Sequence, residues 1–233
     1  AAEPFDTGDL QKALGHDFAD PSLLVTALRH SSYSHEHDGE PSNERLEFLG
    51  DAVIGLVVAT LLFEAHPDWS EGDLTRGMHG LVDRRSLARV GEELGLGRYL
   101  LLGRTEVQSQ GSGKATIVGN AMEAIVGALY LDGGLPPVRS LALQLFGEAL
   151  LPEAPRAPRD AKTLFQELIM DHYGEFPVYE VTSDSGLEDD DERFGVLARV
   201  QGASWSSGHG RSKRRAEHAA AEAGLIRMGA SDE

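Results

Sequence analysis

The sequence predicts an all-α domain over residues 1–151, followed by a smaller α+β domain of order α-β-β-β-α over residues 161–229. In the first region apolar residues recur at helical spacing, and no convincing alternating segment interrupts them. In the second region, several short segments alternate apolar and polar residues between two helical ones. The connecting stretch has three prolines and no apolar period, so we interpret residues 152–160 as a linker.

Capping and breaking residues mark the helix ends in the first domain. The helix containing NERLEFLGDAVIG ends before Pro67, because proline cannot continue a helix. The next helix opens with Ser70 and Asp73, a pair typical of a capping box. Gly95 and the glycine pair at 133–134 suit the ends of two later helices.

The second domain begins with the helix AKTLFQELIMDHYG, and two alternating segments, VYEVTS and RFGVLARVQG, follow it as strands. The second of these strands places four apolar residues on one face: Phe194, Val196, Ala198 and Val200. ASWSSGHG is a weaker strand, and RSKRRAEHAAAEAGLIRM predicts the last helix.

Composition limits the class of protein. The chain of 233 residues is 41% hydrophobic and 25% charged and has no cysteine, which excludes disulfides and thiolate metal sites. No uninterrupted apolar run reaches the roughly 18 residues of a membrane span, and no signal peptide is recognisable, so we expect a cytoplasmic protein with no membrane partner. The net charge is −17, with an excess of acids in both domains. A polyanionic partner must therefore meet a local basic patch or a metal ion.

Three carboxylates lie on one face of a largely apolar helix. Glu44, Glu47 and Asp51 stand at i, i+3 and i+7, where like charges repel one another. One interpretation is a solvated helix face. The apolar neighbours argue against it, and Gly50 removes side-chain bulk beside Asp51 where another group could approach closely.

A second apolar helix carries Asn120 and Glu123 at i and i+3. Taken alone, this is equally consistent with a buried hydrogen-bonded pair. Taken with the first helix, it predicts a four-ligand oxygen site for Mg²⁺, which activates water and stabilises charge on a phosphoryl group.

These motifs resemble a known family. NERLEFLGDAV is nearly identical to the signature of the ribonuclease III endonucleases, and SEGDL, LV and AMEAIVGALYLDGG follow in the family's order and spacing. The second domain resembles the family's double-stranded RNA-binding domain. The resemblance implies a homodimeric endonuclease that depends on Mg²⁺, with Mn²⁺ as a substitute. Such an enzyme cuts double-stranded RNA to leave 5′-phosphate and 3′-hydroxyl ends with short 3′ overhangs, in processing and decay of rRNA and mRNA precursors.

The resemblance also assigns roles to individual residues. It implies that four residues bind the metal: Glu47, Asp51, Asn120 and Glu123. The three acidic residues among them are also catalytic. Accessory acids near the cleavage centre are Glu44 and Glu71, and Phe48 contacts the partner subunit.

Two positions depart from the family pattern. Many members have aspartate where Asn120 stands, and an amide ligates a hard cation without adding negative charge, so we expect weaker Mg²⁺ binding. Met78 replaces an arginine found in many relatives, which we expect to alter substrate contacts rather than chemistry.

A basic cluster marks the start of the last helix. Its cations are Arg211, Lys213, Arg214 and Arg215. By resemblance, the family's basic element corresponds to Lys213, Arg214, Ala216 and Glu217, and the residues expected to bind RNA are Arg211, Ser212, Lys213 and Arg214. Cations oppose the dipole at a helix N-terminus, whereas a phosphate partner makes them favourable. The alternative is a solvated run with Lys213 paired to Glu217.

By resemblance, Thr163, Gln166 and Glu167 on the first helix of this domain read the minor groove of the duplex. The loop between the first two strands usually supplies a histidine, but here it carries five acids, Glu188–Glu192, with Asp190 near the histidine position. We expect this loop to bend away from RNA or to weaken binding.

Other functional classes are less well supported. GSGKAT lacks the earlier glycine of a P-loop and its Ser or Thr, so no nucleotide cofactor is expected. His30, His35 and His37 lack metal-site spacing and suggest a surface loop. A binding-only protein that clamps structured RNA stays open as the alternative function. A phosphohydrolase for small metabolites would leave the second domain without a purpose.

Overall fold

The computed structural model describes residues 6–37, 39–151, 154 and 160–229, and the chain divides into two units, residues 1–157 and 158–233. The predicted linker lies almost entirely outside the described residues, so its boundaries stay a prediction. The helices of the first unit are α1 (Gly8–Leu14), α2 (Pro21–Ala27), α3 (Ser31–Glu36), α4 (Glu44–Ala65), α5 (Glu71–Val82), α6 (Arg84–Glu93), α7 (Arg104–Gln108), α8 (Ala115–Gly133) and α9 (Leu135–Phe146).

The predicted helix ends in this unit agree with the structure. Ser70 and Asp73 form a reciprocal capping box at the start of α5, in which the Asp73 N–H donates to the Ser70 hydroxyl and the Ser70 N–H donates to the Asp73 carboxylate, both at 3.2 Å. Gly95 follows α6 with φ 64°, and Gly134 follows α8 with φ 72°. Positive φ values favour glycine, which explains why both helices stop there. The histidine-rich segment, interpreted from sequence as a surface loop, instead contains α3, which His30 caps by accepting a hydrogen bond from the Ser32 N–H.

The core of the first unit is centred on α4 and α8, which pack against each other, and α8 also packs against α6. By length and composition, α4 is the one helix in the described part of the chain that could cross a membrane. Its place in the core accounts for its apolar composition, because Ile54, Val58 and Leu62 are all fully buried.

The second unit has the predicted α-β-β-β-α order. Its elements are α10 (Ala161–Tyr173), β1 (Val178–Asp184), β2 (Phe194–Val200), β3 (Ala203–Gly210) and α11 (Lys213–Met228). The strands form an antiparallel sheet of order β1-β2-β3. Val196, Ala198 and Val200 are buried on one face of β2, as their alternation predicts.

Small residues set the packing of α11. A Cβ at Gly208 on β3 would lie 2.2 Å from the backbone nitrogen of Ala220, and one at Gly224 would lie 2.5 Å from the Phe165 ring. The last helix therefore lies directly on the sheet and on α10, which supports its exposed N-terminal turn.

Candidate active site and RNA-binding surface

A cavity of about 500 Å³ opens between α4, α8 and the first residues of α3 and α6. Six residues singled out from the sequence line it: Glu44, Glu47, Phe48, Asp51, Asn120 and Glu123. The two apolar helices whose polar residues were predicted to form one site, α4 and α8, thus both contribute to this cavity. The structure brings all four predicted metal ligands to this cavity.

Close contact between two helix backbones brings these side chains together. A Cβ at Gly50 would lie 1.7 Å from the carbonyl oxygen of Glu123, and a Cβ at Gly127 would lie 2.3 Å from the carbonyl oxygen of Leu46. Any larger side chain at either glycine would force α4 and α8 apart. The backbone of α8 at Glu123, one of the predicted ligands, is therefore the group that approaches Gly50 closely.

Burial and like charge act on the acids of the cavity. Burial and the negative charges of Asp51 and Glu47 together raise the pKa of Glu123 to about 7, against the opposing effect of Arg84. Burial also raises the pKa of Glu47, while Arg84 and a hydrogen bond from Asn120 lower it. Clustered carboxylates that repel one another are stabilised by a cation.

The donor set suits a hard divalent ion. Asn120 donates a hydrogen bond to Glu47, but its Oδ1 is buried and has no hydrogen-bond partner among the described residues. A buried oxygen without a partner is unfavourable unless a ligand satisfies it. Within the described residues, no three or more His, Cys, Asp or Glu side chains converge closely enough to form a ready-made metal site. The residues thus fit Mg²⁺ in chemical type, and binding requires the side chains to close around the ion.

The raised pKa of Glu123 predicts a pH-dependent stability in the metal-free protein. Because the folded state binds the proton more tightly than the unfolded state, the ionised carboxyl destabilises the fold progressively as pH rises from about 4.5 to about 7. We expect Glu123→Gln in EDTA to match wild type at pH 4 and to be more stable at pH 8, by up to about 3 kcal/mol. Urea unfolding at both pH values measures this, and equal stability at pH 8 would contradict it.

Two residues noted from the sequence lie elsewhere. Glu71 is the exposed first residue of α5, where its carboxylate accepts a hydrogen bond from the Thr75 hydroxyl at 3.0 Å, and it does not line the cavity. Met78 packs, partly buried, against the hydrophobic core. The accessory role of Glu71 stays a prediction.

Four further residues line the cavity that the sequence analysis did not connect with it: His30, Ser31, Asn43 and Arg84. Nothing local in the sequence singles out His30 for this position. Arg84 could have been found from the sequence, because it is a cation at the start of a helix. The same feature indicated the basic cluster of the second domain.

Comparison with known proteins identifies the family. The sequence model described as Ribonuclease-III-like matches residues 20–149, more than half of the chain's 233 residues. The chain belongs to the ribonuclease III family. A second model, the double-stranded RNA binding motif, matches residues 161–228.

Members of the ribonuclease III family resemble the chain over most of its length. Ribonuclease 3 of Geobacter metallireducens is 43% identical over 229 residues, which cover 97% of this chain and 93% of that protein. Ribonuclease 3 of Mycobacterium tuberculosis is 45% identical, with 92% and 90% covered. Among solved structures, the nuclease domain of ribonuclease III from Campylobacter jejuni superposes with a TM-score of 0.56 at 38% identity, covering 60% of this chain and 95% of that one. This protein is accordingly an endoribonuclease of the ribonuclease III type with a double-stranded RNA-binding domain.

The basic cluster of the RNA-binding domain is exposed at the N-terminus of α11. Ser212 caps the helix by accepting a hydrogen bond from the Arg215 N–H at 3.3 Å. The proposed Lys213–Glu217 pair is wrong, because Glu217 pairs with Lys162 at 2.6 Å. Arg211, Lys213 and Arg214 form no ion pair within 4 Å in the described part of the chain. Their cations are thus available to phosphates.

The other predicted RNA-binding residues lie on α10. Thr163 is exposed near the start of the helix, where its backbone N–H donates to Asp160 at 3.0 Å. Gln166 is half-buried and Glu167 is exposed. Their contact with the minor groove stays a prediction.

The acidic loop is folded on itself. The Asp190 carboxylate accepts hydrogen bonds from the Ser185 hydroxyl and from the Glu192 backbone N–H, and these bonds lower its pKa. At the base of the loop, Asp184 pairs with Arg193 at 2.9 Å, and Lys213 is close enough to help lower the pKa of Asp184. The loop therefore originates beside the basic cluster.

Neutralising the exposed acids of this loop is expected to tighten RNA binding. In the variant Glu188→Gln, Asp189→Asn, Asp191→Asn, Glu192→Gln, less negative charge opposes the phosphates, while Asp190 keeps its structural hydrogen bonds. We expect duplex affinity to rise about threefold to tenfold at low salt, and less at high salt. Fluorescence anisotropy with EDTA at two salt concentrations measures the Kd. Unchanged affinity would mean that the loop lies away from the bound duplex.

Proposed function

We propose that this endoribonuclease depends on Mg²⁺, with Mn²⁺ as a substitute, and leaves 5′-phosphate and 3′-hydroxyl ends with short 3′ overhangs. Its substrates are double-stranded regions of rRNA and mRNA precursors in the cytoplasm. The observation that carries the proposal is the buried Asn120 oxygen without a described partner, in a cavity lined by three mutually repelling acids. A hard cation would satisfy both features at once.

Four side chains from α4 and α8 would hold the ion: Glu47, Asp51, Asn120 and Glu123. When bound, Mg²⁺ supplies a Lewis acid that lowers the pKa of water and neutralises charge on the phosphate. The chain's own residues arrange this chemistry. Gly50 and Gly127 allow the two helix backbones to touch, so that the acids of both helices face one cavity. The hydrogen bond from Asn120 orients Glu47 and leaves the amide oxygen free to bind the cation.

An exposed apolar face on α4 supports a homodimer. Phe48 is 81% exposed, Phe63 is 71% exposed, and Leu56 between them is 57% exposed. Their spacing of eight and seven residues places them along one side of the helix. Large apolar side chains exposed along one side of a helix are typical of a protein interface. For the nuclease domain from Campylobacter jejuni, a region involved in dimer formation is described. A second copy of this chain is therefore the proposed occupant of the face, with Phe48 at the edge of the cavity.

Charge introduced into this face is expected to separate the subunits. In Phe48→Asp/Phe63→Asp, two buried apolar contacts per subunit would be replaced by like charges at the interface. Light scattering should change from a mass near twice 25.1 kDa to a mass near 25.1 kDa. Val107→Asp is the matched control, because Val107 is 61% exposed but lies on α7. A wild-type monomer, or a double variant that stays dimeric, would contradict the proposed interface.

Cleavage of a defined RNA tests the proposal. A long end-labelled duplex is incubated with the full chain in Mg²⁺, in Mn²⁺ and in EDTA, and the ends of the products are determined. We expect short duplexes with 5′-phosphates and 3′ overhangs in the two metal samples and intact RNA in EDTA. Cleavage at the same rate in EDTA would contradict the metal requirement.

The neutral amide at position 120 supports a second candidate, a catalytically weakened protein that binds double-stranded RNA. A shifted but intact duplex in all samples would favour it. Asn120→Asp then distinguishes weak metal binding from loss of chemistry. We expect this variant to reach half-maximal rate at a lower Mg²⁺ concentration than wild type. Equal Mg²⁺ dependence of the two proteins would show that the amide does not limit metal binding.

A further inference from the structure

The cavity contains a cation that the metal site does not explain. Arg84, at the start of α6, lines the same cavity as the four proposed metal ligands. Its charge acts on both Glu47 and Glu123. Even so, its guanidinium forms no ion pair within 4 Å among the described residues. Arg84 therefore lies near the acids but forms a close ion pair with none of them. Its guanidinium N–H groups stay free to donate hydrogen bonds to another anion.

The stem of Arg84 is held in place by α8. A Cβ at Gly119 would lie 2.8 Å from Cγ of Arg84 and 2.8 Å from its carbonyl oxygen. The absence of a side chain at Gly119 thus lets the first residue of α6 lie against α8, next to Asn120. An arginine anchored at its stem loses less conformational freedom when its guanidinium binds a ligand.

The position of Arg84 in its helix disfavours a positive charge, an effect that the carboxylates of Glu47 and Glu123 offset. Arg84 occupies the first turn of α6, where backbone N–H groups and the helix dipole oppose a positive charge. Asp83 caps the helix by accepting from the Ser86 N–H at 2.7 Å, but it does not pair with Arg84. An RNA phosphate in the cavity would add a further favourable interaction, because the helix N-terminus and the guanidinium both attract an anion. Guanidinium groups bind phosphate oxygens through two parallel hydrogen bonds.

We propose that Arg84 binds a non-bridging oxygen of the phosphate at the cleavage site. The inference rests on the proposed function, because it requires that phosphate to enter the carboxylate cavity. It makes Arg84 a substrate-contacting residue that opposes the repulsion between the acids and the RNA backbone. The neutral Asn120 already reduces that repulsion, and Arg84 adds a positive charge on the same side of the cavity.

Single-turnover cleavage by the full chain tests the assignment. Arg84→Gln, Arg84→Lys and the control Arg89→Gln are compared over a range of Mg²⁺ concentrations. Arg89 is exposed on α6 outside the cavity, so its variant removes the same charge from the same helix. Loss of a charged hydrogen bond predicts an about 10- to 100-fold lower rate at saturating Mg²⁺ for Arg84→Gln. We expect Arg84→Lys to recover part of this loss, and Arg89→Gln to stay within about twofold of wild type.

A binding measurement separates substrate contact from effects on the metal. With Ca²⁺ replacing Mg²⁺, Arg84→Gln should weaken binding of a normal duplex more than Arg89→Gln does. A duplex with an uncharged methylphosphonate at the mapped cleavage position should bind wild type and Arg84→Gln equally. Thermal unfolding establishes whether each variant is folded. If Arg84→Gln does not fold, Arg84→Lys, which keeps both the charge and the aliphatic stem, replaces it in the comparison with wild type.

Three results would overturn the assignment. The first is an Arg84→Gln rate equal to that of Arg89→Gln. The second is full recovery of the rate at high Mg²⁺, which would mean that Arg84 acts on the carboxylates. The third is equal weakening on the normal and methylphosphonate duplexes. A wild-type protein that binds RNA but cuts none would instead contradict the proposed function, and the affinities of Arg84→Gln and Arg89→Gln for the normal duplex would still decide whether Arg84 contacts RNA.

Discussion

Glu123→Gln is expected to lower the rate of RNA cleavage by about 10³-fold, which corresponds to about 4 kcal/mol of lost transition-state stabilisation. Glu123 is only 7% exposed and faces the cavity beside Asp51 and Glu47. The amide keeps the shape of the side chain but removes the negative charge that would bind Mg²⁺. Because we expect cations, including the basic cluster of the second domain, to bind the RNA backbone, and Glu123 carries no positive charge, we expect the Kd for the duplex to change less than about twofold.

Single-turnover kinetics at saturating protein measure the loss, and anisotropy in EDTA measures the Kd. Glu93→Gln is the matched control, since it makes the same chemical change at an exposed position at the end of α6. A Glu123→Gln variant with a rate within tenfold of wild type would remove Glu123 from the proposed ligand set. Loss of both cleavage and binding would indicate a damaged fold rather than a lost ligand.

Gly50→Ala is expected to destabilise the first unit by about 3 kcal/mol and to abolish cleavage. The new methyl carbon would lie 1.7 Å from the carbonyl oxygen of Glu123 and 2.8 Å from the backbone nitrogen of Gly127. These atoms belong to the backbone of α8, so no side-chain rotation relieves the overlap and the helices must separate. Their separation would move Glu47 and Asp51 away from Glu123. For a domain of this size, the loss corresponds to a Tm lower by about 10 °C.

Gly80→Ala is the control for this prediction. Gly80 lies within α5, and a Cβ there would have no neighbour within 4 Å. Alanine is favoured over glycine inside a helix, so this variant should be more stable by about 0.5–1 kcal/mol. Calorimetry of both variants gives the comparison. If Gly50→Ala unfolds at the wild-type temperature, the two helix backbones do not touch at the site.

Much of the fold could be predicted because local signals and tertiary packing agree. The capping box of Ser70 and Asp73, the glycine at position 95 and the alternation along β2 each act within a few residues. Such short-range preferences are readable in one sequence. The segment containing His35 was misread because a short helix has too few residues to show a period.

The sequence alone determined the order of elements, the acids on α4, and the family through its signature motif. The sequence could also indicate that Gly50 leaves room for another group to approach closely, but it could not indicate which group that is. Only the tertiary structure decided that α8 touches α4 there, that Glu71 lies outside the cavity, and that Arg84 lies inside it. The physical reason is distance along the chain. Spacing within one helix follows from its period, whereas Arg84 and Asn120 are neighbours only because Gly119 lets α6 pack against α8.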